Sequence, residues 1–165
     1  MKYFNKGEIL LSDFDGVYVD SQERFLKVMQ EEKTLEKWME YLNNIEWYSF
    51  LRECEEMENA TETFLELQEL GILKGFITRI HSFNEGREKG IFLREKGIKV
   101  PIYYVLPEQP KSIIYIPNHK TILLEDQYEN AKDWEKSGGK FIIYNPNAKK
   151  ENKQLIKKID SLLTK

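Results

Sequence analysis

Short apolar runs alternate with longer polar stretches along most of the chain. Residues 8–12 (EILLS), 72–78 (ILKGFIT), 101–106 (PIYYVL), 121–124 (TILL) and 140–144 (KFIIY) are rich in β-branched and aromatic side chains. Runs this short, without polar alternation, predict strands buried on both faces of a parallel sheet. The stretches between them carry helical spacing. Residues 62–70 place Phe64, Leu67 and Leu70 on one face before Gly71, residues 84–96 stop at Gly97, and residues 130–137 stop at Gly138 and Gly139. Glycine just beyond a periodic stretch is a common helix stop. Strand and helix in alternation predict an α/β fold with a Rossmann-like, doubly wound parallel sheet.

One segment departs from this alternation. The stretch between the first two strands far exceeds the ~10–12 residues of a minimal crossover, and it holds Phe25, Trp38, Tyr41, Trp47, Tyr48 and Phe50. We read residues 17–60 as a small helical cap inserted after the first strand of a single domain spanning 1–165. Its aromatics either pack the cap onto the core or offer a face to a ligand. Beyond residue 150, Leu155, Ile156, Ile159 and Leu162 form the apolar side of an amphipathic helix expected to cover the sheet.

Composition narrows the function classes. The 165 residues carry 25 Lys and Arg against 28 Asp and Glu, a net charge of −3, so no strongly basic surface advertises a long nucleic acid. The hydrophobic fraction of 41% excludes a disordered composition. Cys54 has no partner for an intrachain disulfide, no signal-peptide pattern is visible, and no run approaches the ~20 apolar residues of a membrane span. The expectation is a soluble, cytoplasmic protein with no membrane partner, its oligomeric state open.

Chemistry concentrates where apolar runs end. "ILLSDFDGVYVDS" puts Asp13 and Asp15 two positions apart ahead of Gly16, at the carboxyl end of the first strand. Such a pair can supply one carboxylate as nucleophile and Mg²⁺ ligand and a second, turned aside by the alternation of a strand, to move a proton; an Asx-turn is the plain structural alternative. "TILLEDQYEN" ends another run in Glu125 and Asp126, and adjacent acids at a buried strand end call for a cation or a proton. Thr78 ends the second strand with a hydroxyl suited to a phosphate oxygen, and Lys111 in "EQPKSII" can reach the same phosphate as a point charge. Arg79 either adds a phosphate contact or faces solvent. His81 and His119 read as loop residues.

With these pieces in this order, the chain resembles the haloacid dehalogenase-like (HAD) hydrolase superfamily, roughly from residue 8 to 144. The resemblance implies Asp13 as the nucleophile that forms an aspartyl-phosphate and Asp15 as general acid and base. It implies Thr78 and Lys111 as phosphate ligands. Asp13, the backbone carbonyl of Asp15, and Asp126 would be Mg²⁺ ligands, with Glu125 behind them orienting water on the metal. An acid at the Asp15 position is similar to what phosphatases and phosphomutases carry and dehalogenases lack, which implies phosphoester hydrolysis of a small substrate. The stretch from "LLEDQYEN" through "SGGKFIIYN" looks like the 5′(3′)-deoxyribonucleotidase branch, with Trp47, Tyr48 and Phe50 as candidates to stack a base. Alternatives are a polynucleotide 3′-phosphatase, a sugar-phosphate phosphatase, or a non-catalytic domain binding a phosphorylated ligand or a protein. A receiver domain is disfavoured by order, because it places its adjacent acids early and its phosphoacceptor later.

Overall fold

The apolar runs form strands, and the three central ones bury both of their faces. In the computed structural model, which describes residues 4–25 and 34–144, the strands are β1 (Ile9–Ser12), β2 (Leu73–Arg79), β3 (Ile102–Val105), β4 (Thr121–Glu125) and β5 (Lys140–Ile143). Each end lies within one residue of its expectation. Helices α1 (Leu35–Asn44), α2 (Trp47–Glu53), α3 (Ala60–Glu69), α4 (Phe83–Glu95) and α5 (Tyr128–Lys136) connect them, with a single 3-10 turn at Lys111–Ile113 after β3. The Trp38 side chain and the helix expected over 155–162 lie outside the described residues.

Within the sheet these strands pair in parallel, in the order β3-β2-β1-β4-β5. The chain winds outward from β1 through β2 to β3, then returns to pair β4 against the other side of β1. Strand order reverses between β1 and β4, and in open α/β sheets the crevice at such a switch is where ligands bind. The register there is continuous, with Leu10 beside Ile122 and Ser12 beside Leu124.

Alternate residues feed two cores. Leu10, Phe76, Ile122 and Leu124 face Phe64 and Leu67 of α3 and Phe92 and Leu93 of α4. Leu11, Ile77 and Leu123 face the opposite way and pack with Trp134 of α5. Both faces are thus covered, which is why these strands read as unbroken apolar runs. Ser82 caps α4 by accepting the Glu85 N–H at 3.1 Å, fixing the turn that follows β2.

The segment between β1 and β2 is helical and shares the first core. Trp47, Phe50 and Leu51 of α2 are buried in one cluster with Phe14, Tyr18 and Phe92, and α2 packs on α4. Among the described residues no helix is long and apolar enough to cross a membrane.

Candidate active site

Three strand ends meet at the switch point. Asp13 follows β1 directly, Thr78 and Arg79 close β2, and Glu125 closes β4 with Asp126 next in the chain. A parallel sheet brings these carboxyl ends to one edge. Residues far apart in sequence therefore converge.

The Asp13 carboxylate is held from two sides. Its Oδ1 accepts the Phe14 N–H at 2.7 Å, and its Oδ2 lies 2.6 Å from the Lys111 ammonium. Lys111, itself buried, donates equally closely to Glu125 Oε2, at 2.6 Å. Glu125 is fully buried, and its other oxygen accepts the Gln127 N–H and the Asn130 side-chain amide. Asp126 Oδ2 accepts from Gln22 at 2.6 Å, while its Oδ1 is buried with no hydrogen-bond partner among the described residues.

Asp13, Glu125 and Asp126 each bring one oxygen within 4.8 Å of the others. Lys111 is the cation between them, so negative charge is in excess. Burial, augmented by the charges of Glu125 and Asp15, pushes the Asp13 carboxyl up to about 7 despite Lys111. Burial and the charge of Asp13 push Asp126 up to about 6. Buried carboxylates with an orphaned oxygen are the hard donor set that suits a small divalent cation. Gly16 makes this approach feasible: its φ is +74°, and a Cβ there would lie 2.3 Å from Asp126 Oδ2.

Asp15 sits on the other flank of Asp13. Its Oδ1 accepts from Ser21 at 2.8 Å, and its Oδ2 accepts from Thr78 at 3.1 Å and from Lys89 at 2.6 Å. Burial opposes ionisation here, but the Lys89 charge and these hydrogen bonds outweigh it and hold the carboxyl below its usual range. Lys89 reaches up from α4 with no exposed surface and also contacts Glu85 at 2.7 Å. Glu85 in turn accepts the His81 N–H at 2.7 Å.

Asp13 and Asp15 open onto a cavity of about 340 Å³, whose wall includes Phe25, Arg79, His81 and Gln127. Arg79 donates to the Gln109 carbonyl at 3.3 Å, and its Nε is buried without a partner. Asp13, Asp15, Thr78, Arg79, Lys111, Glu125 and Asp126 are therefore brought to one edge, with Arg79 on the cavity wall rather than turned to solvent.

The proposed base-stacking aromatics are not placed there. Trp47 and Phe50 are only 2% and 4% exposed and pack in the core, and Tyr48 is exposed beneath the Arg52 guanidinium, away from the cavity wall. Among the described residues, the aromatic ring lining the cavity is that of Phe25, backed by Phe50 at 4.9 Å and Trp47 at 6.2 Å between ring centroids. The large rings of α2 serve as its support, because they lie on the helix face turned to the core.

Sequence reasoning also passed over Lys89, Glu85, Ser21 and Gln22. The available signal was a pair of opposite charges at i, i+4 on the apolar side of a helix, in line with Phe92 and Leu93. A charge on that side has to find a partner inside.

No protein-family model matches the chain, and no curated protein matches it in sequence. Solved structures do. A HAD-superfamily hydrolase from Ehrlichia chaffeensis superposes with a TM-score of 0.56 at 12% identity, covering 94% of this chain and 97% of that one. A HAD hydrolase of family IA, variant 3, from Entamoeba histolytica gives 0.55 at 13% identity, covering 96% and 100%. At these identities the likeness speaks to architecture, and it extends over nearly the full length of both chains. The protein has the Rossmann-like fold of the HAD-superfamily hydrolases.

Proposed function

We propose that the protein is a Mg²⁺-dependent phosphohydrolase that acts through an aspartyl-phosphate on a small phosphomonoester. The observation that carries this reading is the convergence of Asp13, Asp15, Thr78, Lys111 and Asp126 at the carboxyl edge of the sheet, where Asp13 and Asp15 face the cavity and acids are in excess of cations.

In this reading an Asp13 oxygen attacks phosphorus in line, and the bond from phosphorus to the ester oxygen breaks. Asp15, ionised in the unliganded site, first takes up a proton from solvent; it passes this proton to the departing oxygen and then regains one from the water that cleaves the aspartyl-phosphate, returning Asp13 and Asp15 to the states in which they reacted. The backbone beside Thr78 holds a phosphate oxygen, the buried Thr78 hydroxyl being committed to Asp15 rather than to the phosphate as the sequence suggested, while Lys111 steadies Asp13 and meets the phosphate charge. Asp13, Asp126 and the Asp15 carbonyl would hold Mg²⁺, whose role is to neutralise phosphate charge, with Glu125 behind them. The cavity's aromatic wall at Phe25 favours a substrate with a planar group, such as a (deoxy)nucleoside monophosphate.

The test is phosphate release from nucleoside monophosphates, sugar phosphates and a 3′-phosphorylated oligonucleotide, with Mg²⁺ and with EDTA. Metal-dependent release that Asp13→Asn abolishes supports the reading, and a preference for nucleotides supports the substrate. Substantial turnover by Asp13→Asn, or release unaffected by EDTA, refutes it.

A further inference from the structure

The chemistry proposed above leaves the buried Lys89 ammonium without a task. Withdrawing an ammonium from water is costly unless its protons are all taken up and its charge is matched. Here both conditions are met: Nζ lies 2.7 Å from Glu85, 2.6 Å from Asp15, 3.1 Å from Thr78 Oγ1 and 3.0 Å from the Arg79 carbonyl.

Glu85, four residues earlier on the same helix, is enough to neutralise Lys89. The link to Asp15 is additional, and it crosses from α4 to the loop after β1. Its geometric effect is specific. Ser21 holds one Asp15 oxygen, and Lys89 and Thr78 hold the other. Without Lys89, Oδ2 keeps only a hydroxyl that is free to rotate.

We propose that Lys89 is a positioning residue, which acts through Asp15 by aiming its carboxyl group, once protonated, at the ester oxygen that leaves phosphorus. The proposal rests on the phosphohydrolase reading. Residues that hold a reacting group to within a fraction of an ångström are the ones whose loss is felt in kcat, since a displacement of ~1 Å can cost ~10²-fold. Lys89 itself, having no exposed surface, touches no substrate.

The experiment compares wild type, Lys89→Gln, Asp15→Asn and the double variant on two Mg²⁺-loaded substrates. One is the alkyl phosphate cleaved fastest in the panel above, whose leaving oxygen needs a proton. The other is p-nitrophenyl phosphate, whose leaving group departs without one. Lys89→Gln should lose roughly 10²-fold in kcat on the alkyl ester with little change in KM, and far less on p-nitrophenyl phosphate. In the Asp15→Asn background it should cost nothing more.

Equal losses on both esters, or a further loss in the Asp15→Asn background, overturn the proposal by making Lys89 a purely structural ion. Should Lys89→Gln not fold, Lys89→Arg carries the same test: it keeps the charge but its broad fork displaces Asp15, and an unselective result overturns the proposal. A wild type that releases phosphate from neither ester is distinguishable from these outcomes, because it removes the phosphohydrolase reading and this proposal with it.

Discussion

Asp126→Asn should make the metal-free protein more stable, although it deletes a residue of the candidate site. Asp126 is raised from its ordinary 3.8 to about 6 by burial and by the charge of Asp13. At ~1.4 kcal/mol for each tenfold change in acidity, ionising it inside the fold costs on the order of 3 kcal/mol. A carboxyl raised in this way favours the fold fully below its unfolded value, and that advantage is lost as pH rises through the folded value. The stabilisation by Asp126→Asn should therefore be small near pH 4, grow through pH 6 and level off above pH 7. At ~2–4 °C per kcal/mol for a chain of this size, Tm at pH 8 should rise by roughly 6–12 °C in EDTA. The assay is thermal and urea unfolding across that pH range, with EDTA and with Mg²⁺. Added Mg²⁺ should raise the wild-type Tm and leave the variant nearly unmoved. A variant that is less stable than wild type at pH 8 in EDTA, or whose advantage does not depend on pH, would refute the charge-excess argument.

Other substitutions probe the same site. Gly16→Ala must place a Cβ 2.3 Å from Asp126 Oδ2 at a φ of +74°, so it should shrink the Mg²⁺-induced rise in Tm more than it lowers the Tm of the metal-free protein. Lys111→Met strands Asp13 and Glu125 without their shared cation and should cost ~3–5 kcal/mol in urea unfolding at pH 8. That loss should lessen on acidification, as Asp13 takes up a proton. Phe25→Ala removes the cavity's aromatic wall and should raise KM for the preferred substrate by ~10-fold or more while changing kcat little.

The sheet was legible because parallel strands bury both faces, and residues such as Leu10, Leu11, Ile122 and Leu123 leave a continuous apolar run in each strand. Asp13, Asp15, Thr78, Glu125 and Asp126 were legible for a related reason: polar groups that end such runs stand at the sheet's carboxyl edge. Lys89 was not. It lies inside a helix, its partner Asp15 comes from another element, and a helical stripe states which side faces inward but not what it meets. The two readings of Trp47 and Phe50, as core or as ligand face, stayed open for the same reason. Their sizes and spacing are equally consistent with lining a cavity or with supporting the ring that does, and only the packing of Phe25 on both separates the two.

The central place of β1 has a consequence for the order in which the molecule forms. β1 can pair with β2 early, but its other neighbour, β4, begins at Thr121, so the Leu10–Ile122 register closes one of the longest loops in the chain. Pairings this distant form late and slow the search for the native topology. Asp13 and Asp126 come together only through that pairing, so a partly folded chain lacking β4 offers a cation no complete set of ligands. Divalent ions should accordingly act on the exit from the native state rather than on the approach to it, lengthening the protein's lifetime against unfolding while leaving its refolding rate almost untouched.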